Sequence, residues 1–212
     1  MANLCPLCQS NKIAPFYSDQ AKRYFSCTTC DLIFLSTDNY LSKDEEKARY
    51  ELHNNNPDDP DYRQFLSKVL NPVVSAVKQG AQGLDFGSGP GPTLSIMLEE
   101  QGFKVDLFDK YYANNPSVFN NQYDFITATE VFEHLHDPAQ VFEHLFRLLN
   151  PQGVLAIMTS LHNYAGDFSS WYYKNDPTHV CFYSKTSMEY MAIKFGVTVK
   201  FYGKDVVLFI KD

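Results

Sequence analysis

The chain has 212 residues, 44% of them apolar and 20% charged, with a formal net charge of -7 and a pI near 5.3. That length buries one substantial core and a small satellite rather than two full domains. The acidic balance argues against nucleic acid or an anionic membrane surface as partner and favours a small-molecule substrate. No apolar run nears the roughly 20 residues that span a bilayer. Met1-Ala2-Asn3-Leu4-Cys5-Pro6 has neither a basic start nor an apolar export stretch, so the chain reads as cytosolic.

Residues 1–37 differ in kind from the rest. Cys5-Pro6-Leu7-Cys8 and Cys27-Thr28-Thr29-Cys30, with eighteen residues between the pairs, have the spacing of a four-thiolate structural zinc site. Four thiolates leave no open position for a catalytic water, so Cys5, Cys8, Cys27 and Cys30 are expected to hold structural Zn2+ in a zinc-ribbon-like module. Redox thiols and a metal-free ribbon are the alternatives. The runs Ala14-Pro15-Phe16-Tyr17 and Leu32-Ile33-Phe34-Leu35 look like short strands. Between Cys8 and Cys27 only Lys12, Lys22 and Arg23 stand against Asp19, far from a phosphate-reading stripe, and a role in shaping the substrate pocket is preferred.

Residues 38–79 read as a helical link and pocket cover. Ser42 followed by Glu45 has capping-box spacing ahead of a helix to Tyr50, and the polar stretch 54–60 ends it. A second helix runs from Asp61 towards Lys78, with Phe65, Leu66, Val69, Leu70, Val73 and Val77 at three- and four-residue steps. Tyr50, His53, Asp61, Tyr62 and Arg63 form a polar-aromatic cluster just before the core.

From residue 80 to 212 short apolar runs alternate with helical stretches, the pattern of an α/β sheet covered on both faces. Strands are expected near 82–86, 104–109, 124–129 and 153–159, and helices near 92–101 and 138–149, the latter with Asp137 as N-cap and Pro138 in the first helical position. Val197–Tyr202 and Val206–Ile210 are separated by only three residues, too few for a parallel crossover, so they pair as an antiparallel hairpin. Asp85-Phe86-Gly87-Ser88-Gly89-Pro90-Gly91 closes a strand and opens a helix, where glycines let backbone approach a nucleotide-like ligand; a ligand-free tight turn is the plain alternative. Asp109, ending the next strand, is placed to accept ribose hydroxyl protons, or is an ordinary turn residue.

The pattern Asp85-x-Gly87-x-Gly89-x-Gly91 resembles motif I of class I S-adenosylmethionine-dependent methyltransferases, whereas nicotinamide oxidoreductases space their third glycine one residue later. Tyr123-Asp124-Phe125-Ile126 with Glu130-Val131-Phe132-Glu133-His134-Leu135 resembles that family's fourth strand and exit loop, and Leu149–Gly153 the turn before its fifth. The resemblance implies a Rossmann-like, mostly parallel sheet with an antiparallel C-terminal hairpin over residues 80–212. It also implies S-adenosylmethionine as cofactor, with Asp85 near its methionine end, Gly87, Ser88, Gly89 and Gly91 beneath it, Asp109 on the ribose, and Glu130 at the strand tip facing cofactor or acceptor. Only thirteen residues separate Asp109 from Tyr123, so the third strand is at most short, around Ser117-Val118-Phe119, and no adenine residue is assigned.

The acceptor pocket is expected beyond the carboxyl ends of strands four and five. The first exit loop carries Glu130, Glu133, His134 and His136. The second, Ser160 to Ser184, carries His162, Tyr164, Phe168, Trp171, Tyr172, Tyr173, Asp176, His179 and Tyr183, while Cys181 reads as a small buried apolar residue. Substrate contacts are expected from Tyr50, His53, Tyr62, Arg63, Trp171, Tyr172 and Asp176. The order of ribbon, Tyr50-x-x-His53, motif I and Asp176-Pro177-Thr178-His179 resembles a group of bacterial methyltransferase-like proteins of unassigned acceptor. In-line displacement then calls for a general base, His179 or His134, each an imidazole largely neutral at cytosolic pH or else a satisfied structural histidine. A zinc-ribbon interaction protein on a degenerate methyltransferase scaffold and a nicotinamide oxidoreductase are the rival readings.

Overall fold

The computed structural model describes residues 4–52 and 55–212. The N-terminal module carries β1 (Ile13–Ser18), β2 (Arg23–Cys27) and β3 (Ile33–Leu35) in an antiparallel meander. Each Cys-x-x-Cys turn is followed by a residue in the left-handed region, Gln9 (φ 59°) and Asp31 (φ 60°). Their amides bond back to the first cysteine of each pair, Gln9 N to Cys5 O at 3.0 Å and Asp31 N to Cys27 O at 2.8 Å.

α1 (Lys43–Tyr50) starts on the expected capping box: Glu45 N donates to Ser42 Oγ, and the Glu45 carboxylate accepts the Ser42 amide. α2 (Pro60–Ala76) is capped by Asp59 and continues through Pro72, burying Leu66, Val69, Leu70 and Val73 on one face.

The core then follows as β4 (Gln82–Phe86), α3 (Thr93–Glu100), β5 (Lys104–Phe108), β6 (Tyr123–Thr129), α4 (Pro138–Leu148) and β7 (Leu149–Met158). It closes with β8 (Cys181–Phe182), α5 (Lys185–Phe195), β9 (Thr198–Tyr202) and β10 (Val206–Ile210). The six-stranded sheet has the order β5-β4-β6-β7-β10-β9. β5, β4, β6 and β7 are parallel, and β10 lies antiparallel to both β7 and β9, which inserts the last strand into the sheet as the terminal hairpin predicts.

Side-chain alternation divides the core between the two faces. Phe125, Val154, Ala156, Met158, Val206 and Leu208 meet α2 and α3, and Ile126, Ala128, Leu155, Ile157, Val207 and Phe209 meet α4 and α5.

Three features differ from the sequence reading. No third strand forms between β5 and β6; Ser117–Phe119 lies in a 3-10 turn, Pro116–Asn120, whose Asn115 cap and Pro116 favour a tight turn over extension. β7 begins at Leu149, because Gln152 takes a left-handed conformation (φ 66°) that lets the chain stay paired through the expected turn. β8, from the segment after β7, pairs with β3 and becomes the fourth strand of the ribbon sheet. The ribbon and the α4/α5 face share one apolar cluster, in which Cys5, Leu7, Leu32 and Phe34 are fully buried.

Candidate active site

A cavity of about 730 Å3 opens at the carboxyl ends of β4, β5 and β6, within the range usual for small-molecule sites. Asp85, Gly87, Ser88, Gly89, Gly91, Asp109 and Glu130 all line it, as do His134, His179, Tyr50, Tyr62, Tyr172 and Asp176. Two expected contacts stand elsewhere. Trp171 is buried against Phe168, Tyr173 and Phe182, so its ring packs the ribbon side. Arg63 turns to Glu100 and the Pro57 carbonyl, where its charge is satisfied. His53 lies outside the described residues.

The glycine turn differs from a cradle of free amides. Gly87 N and Ser88 N both donate to Phe108 O, at 2.7 and 3.2 Å, and Gly89 N donates to Asp109 Oδ2 at 3.1 Å. The amides thus stitch β4 to β5, leaving the turn's Cα surface to the ligand. Gly87 is required by its φ of 79° and by Val131, whose methyl would lie 2.4 Å from an added Cβ. Asp109 also accepts the amides of Tyr111 (2.8 Å) and Tyr112 (3.1 Å) through Oδ1. A carboxylate has about four lone-pair sites, so capacity remains for a hydroxyl donor.

Asp85 is buried, accepting Thr127 Oγ1 at 2.8 Å and Ser95 Oγ at 3.4 Å. Burial pushes its carboxyl up to about 6, against the lowering effect of those two hydroxyls.

The roof over the turn is α1. Glu46 receives Tyr50 Oη (2.8 Å), Lys110 Nζ (2.9 Å) and Tyr111 Oη (3.3 Å), tying α1 to the segment after Asp109. On the other side Arg49 binds Asp176 Oδ2 at 3.0 Å. Burial alone would raise the Asp176 carboxyl, but Thr178 and Arg49 hold it below the usual range. Sequence reasoning passed over Lys110, Tyr111 and Asn55, which line the cavity, and Glu46, which holds Lys110 and Tyr111 there, since only the packing of α1 and of Asn55 over the turn brings them together.

At the far end Glu130 takes a left-handed conformation (φ 52°) at the tip of β6 and accepts Tyr173 Oη at 3.2 Å. Burial, then the neighbouring Glu133 carboxylate, raise the Glu130 carboxyl well above its ordinary value. His134 and His179 stand beside it with ring centroids 4.7 Å apart at 72°. Burial depresses His134 to about 4, so it is neutral.

In the ribbon, Cys5 Sγ lies 3.6 Å from Cys30 Sγ and Cys8 Sγ 3.4 Å from Cys27 Sγ, and all four sulfurs lie within 4.8 Å of one another. Tetrahedral Zn–S bonds of about 2.3 Å would space sulfurs about 3.8 Å apart, so the donor set fits zinc. Cys181 is fully buried, its thiol raised by burial and donating to Leu135 O.

Residues 59–200 match a family described as a methyltransferase domain. Ubiquinone biosynthesis O-methyltransferases of Klebsiella pneumoniae (strain 342) and Yersinia enterocolitica are each 31% identical over 91 residues. That match is 42% of this chain and spans only 38% of the length of these relatives. In three dimensions the chain is similar to the Burkholderia thailandensis 1,6-didemethyltoxoflavin-N1-methyltransferase solved with S-adenosylhomocysteine, at 14% identity and TM-score 0.53, covering 93% of this chain and 99% of that one. It is similar also to a Pyrococcus horikoshii protein at 16% identity and TM-score 0.54, covering 77% and 97%. Those identities speak to the fold alone. The family match runs from α2 into β9, across the sheet order and glycine turn described above, and the chain therefore belongs to the methyltransferase domain family, with the class I fold that binds S-adenosylmethionine.

Proposed function

We propose that the protein transfers a methyl group from S-adenosylmethionine to the hydroxyl oxygen of a small-molecule acceptor. The observation that carries the reading is one continuous cavity joining the glycine turn and Asp109 at one end to Glu130, His134 and His179 at the other. The cofactor supplies an electrophilic methyl on a sulfonium. Asp109 holds the ribose hydroxyls, Gly87, Ser88, Gly89 and Gly91 admit the cofactor against the turn, and Asp85 and Glu130 set their carboxyl groups beside the cationic methionine end, whose charge favours the ionised form of each. Tyr50, Tyr62, Tyr172 and Asp176 enclose the acceptor, and α1 closes over it and excludes water. His179, whose Nδ1 faces the Tyr173 carbonyl at 2.7 Å, keeps Nε2 free to take the hydroxyl proton. Oxygen as nucleophile is supported by the similarity to the Klebsiella and Yersinia O-methyltransferases.

The ribbon holds structural zinc in this reading and supports the acceptor wall through β8. The missing third strand does not weaken the scaffold for catalysis, because the short link still leaves the cofactor end of the cavity open.

Titration calorimetry with S-adenosylmethionine and with NADH tests the donor, and a screen of metabolite pools for cofactor-dependent gain of one methyl mass tests the reaction. Binding of the first alone, with a methylated product that keeps no free hydroxyl at that position, is expected. Binding of neither ligand refutes the enzyme in favour of an interaction scaffold.

A further inference from the structure

Glu133 has no place in the methyl-transfer geometry above. Its side chain is fully buried, and neither carboxylate oxygen has a hydrogen-bond partner among the described residues. A buried carboxylate left this way is costly unless something cationic completes it. Its near neighbours are His134 Nε2, 4.0 Å from Glu133 Oε1, together with the Glu130 carboxyl and the Tyr173 hydroxyl, neither of which is a cation. One ligand atom from each of Glu133, His134 and His179 lies within 4.8 Å of the others.

The histidines are oriented for this neighbour. His134 Nδ1 faces Thr178 O at 3.2 Å and His179 Nδ1 faces Tyr173 O at 2.7 Å. A carbonyl oxygen can only accept, so each Nδ1 carries the proton and each Nε2 presents a bare lone pair. A backbone carbonyl fixing one ring nitrogen so that the other can ligate is the usual support of a metal-bound imidazole.

We propose that Glu133, His134 and His179 form a divalent-cation site in the wall of the acceptor end of the cavity. Two imidazoles and one carboxylate suit a borderline ion such as Zn2+, Co2+ or Fe2+ better than Mg2+ or Ca2+, which take oxygen ligands. Bonds near 2.1 Å set tetrahedral ligand atoms about 3.4 Å apart, so the three side chains need to draw in by roughly an ångström. His134 and His179 line the cavity while Glu133 stands behind them, so the remaining coordination positions open towards the acceptor, whose hydroxyl oxygen would take one. The existence of the site is independent of the proposed reaction; its role rests on that reading and replaces direct proton transfer to His179, whose one lone pair cannot serve both. A hydroxyl on the ion loses its proton to solvent more readily.

Cobalt distinguishes this site from the four-cysteine site in the same full-length protein. Co2+ added to the protein as purified should give, besides any thiolate-to-cobalt charge transfer in the near ultraviolet, a visible ligand-field band without thiolate character at one equivalent. E133Q and H179N should each abolish that band while leaving the thiolate signal and the far-ultraviolet circular dichroism unchanged. A cobalt spectrum that is entirely thiolate in origin, or a nitrogen–oxygen band that survives in both variants, overturns the site. Absence of the band from the unsubstituted protein with S-adenosylmethionine binding intact sinks the cation site alone, whereas failure to bind the cofactor sinks the methyltransferase reading and leaves the cobalt result standing.

Discussion

The carbonyl oxygen of Asn55 lies over Gly91 so closely that a Cβ built on the glycine would come within 1.9 Å of it. Backbone meets backbone here, so neither partner can rotate away. Gly91→Ala should therefore displace the α1–α2 connection from the glycine turn while leaving the sheet folded. The expected result is S-adenosylhomocysteine affinity at least about tenfold weaker, roughly 1.4 kcal/mol, with little change in thermal midpoint. Calorimetry and a melting curve on the same sample decide it; full affinity would show that Asn55 has no part in the site.

Asp109 is bound on one side by three backbone amides and faces the cavity on the other. Asp109→Asn keeps the shape but replaces one acceptor oxygen with a donor. It should weaken cofactor binding by about 1.5–3 kcal/mol, the range for hydrogen bonds to charged groups. A donor NH2 facing Gly89 N–H also loosens the turn, so both binding and local amide protection should fall in hydrogen exchange. Unchanged affinity would remove Asp109 from the cofactor site.

Asp85 gives a pH signature. Its native carboxyl titrates near 6 against an ordinary 3.8. The folded state thus holds the proton more tightly than the unfolded chain. That stabilisation is fully present below pH 3.8 and is lost as pH rises through about 6, on the order of 2–3 kcal/mol in the cofactor-free protein. Asp85→Asn has no such titration. The stability difference between wild type and D85N should move in favour of D85N between pH 4.5 and 7.5, read from urea midpoints at the two values. A difference independent of pH counts against a buried, proton-holding Asp85.

Removal of ribbon metal should reach the acceptor wall. β8 pairs with β3 on one side, and His179 stands two residues before it in sequence. Chelation at neutral pH, or Cys27→Ser, should lower the thermal midpoint and raise exchange at Val180–Tyr183 before it touches β4 or β6. Midpoint loss without change at Val180–Tyr183 would mean that the ribbon is an independent unit.

Much of the fold was legible because its signals are local. Cap chemistry placed α1 and α4, short apolar runs placed β6, β7 and β10, and a three-residue turn required the antiparallel hairpin. α5 was passed over because its capping box pairs Ser184 with Ser187 rather than with an acid, and its buried residues Met188, Met191 and Ala192 make a weak stripe. The glycine-turn end of the cavity was legible for the same reason as the fold, since glycine spacing is a backbone requirement. The acceptor end was less so. Trp171 and Tyr172 are neighbours of similar chemistry, yet one packs the ribbon and the other faces the cavity. Nothing in the run Glu130-Val131-Phe132-Glu133-His134 tells which carboxylate turns inward; the left-handed φ at Glu130 decides that.

The missing third strand leaves β5 with β4 as its one strand partner, and so with a row of main-chain donors and acceptors on the outer side of the sheet. Such a row invites pairing with another molecule. Here the shortened link serves as the guard. Tyr123 Oη and Asn121 Nδ2 both donate to Asp106 on that strand, at 2.8 and 3.2 Å, and Phe119 packs against Phe108 with centroids 4.5 Å apart. Lys104 and Asp106 add charges that oppose an incoming strand. A sheet made narrower by one strand thus keeps a closed border, and a substitution that frees the 116–121 turn would show itself first as self-association rather than as lost catalysis.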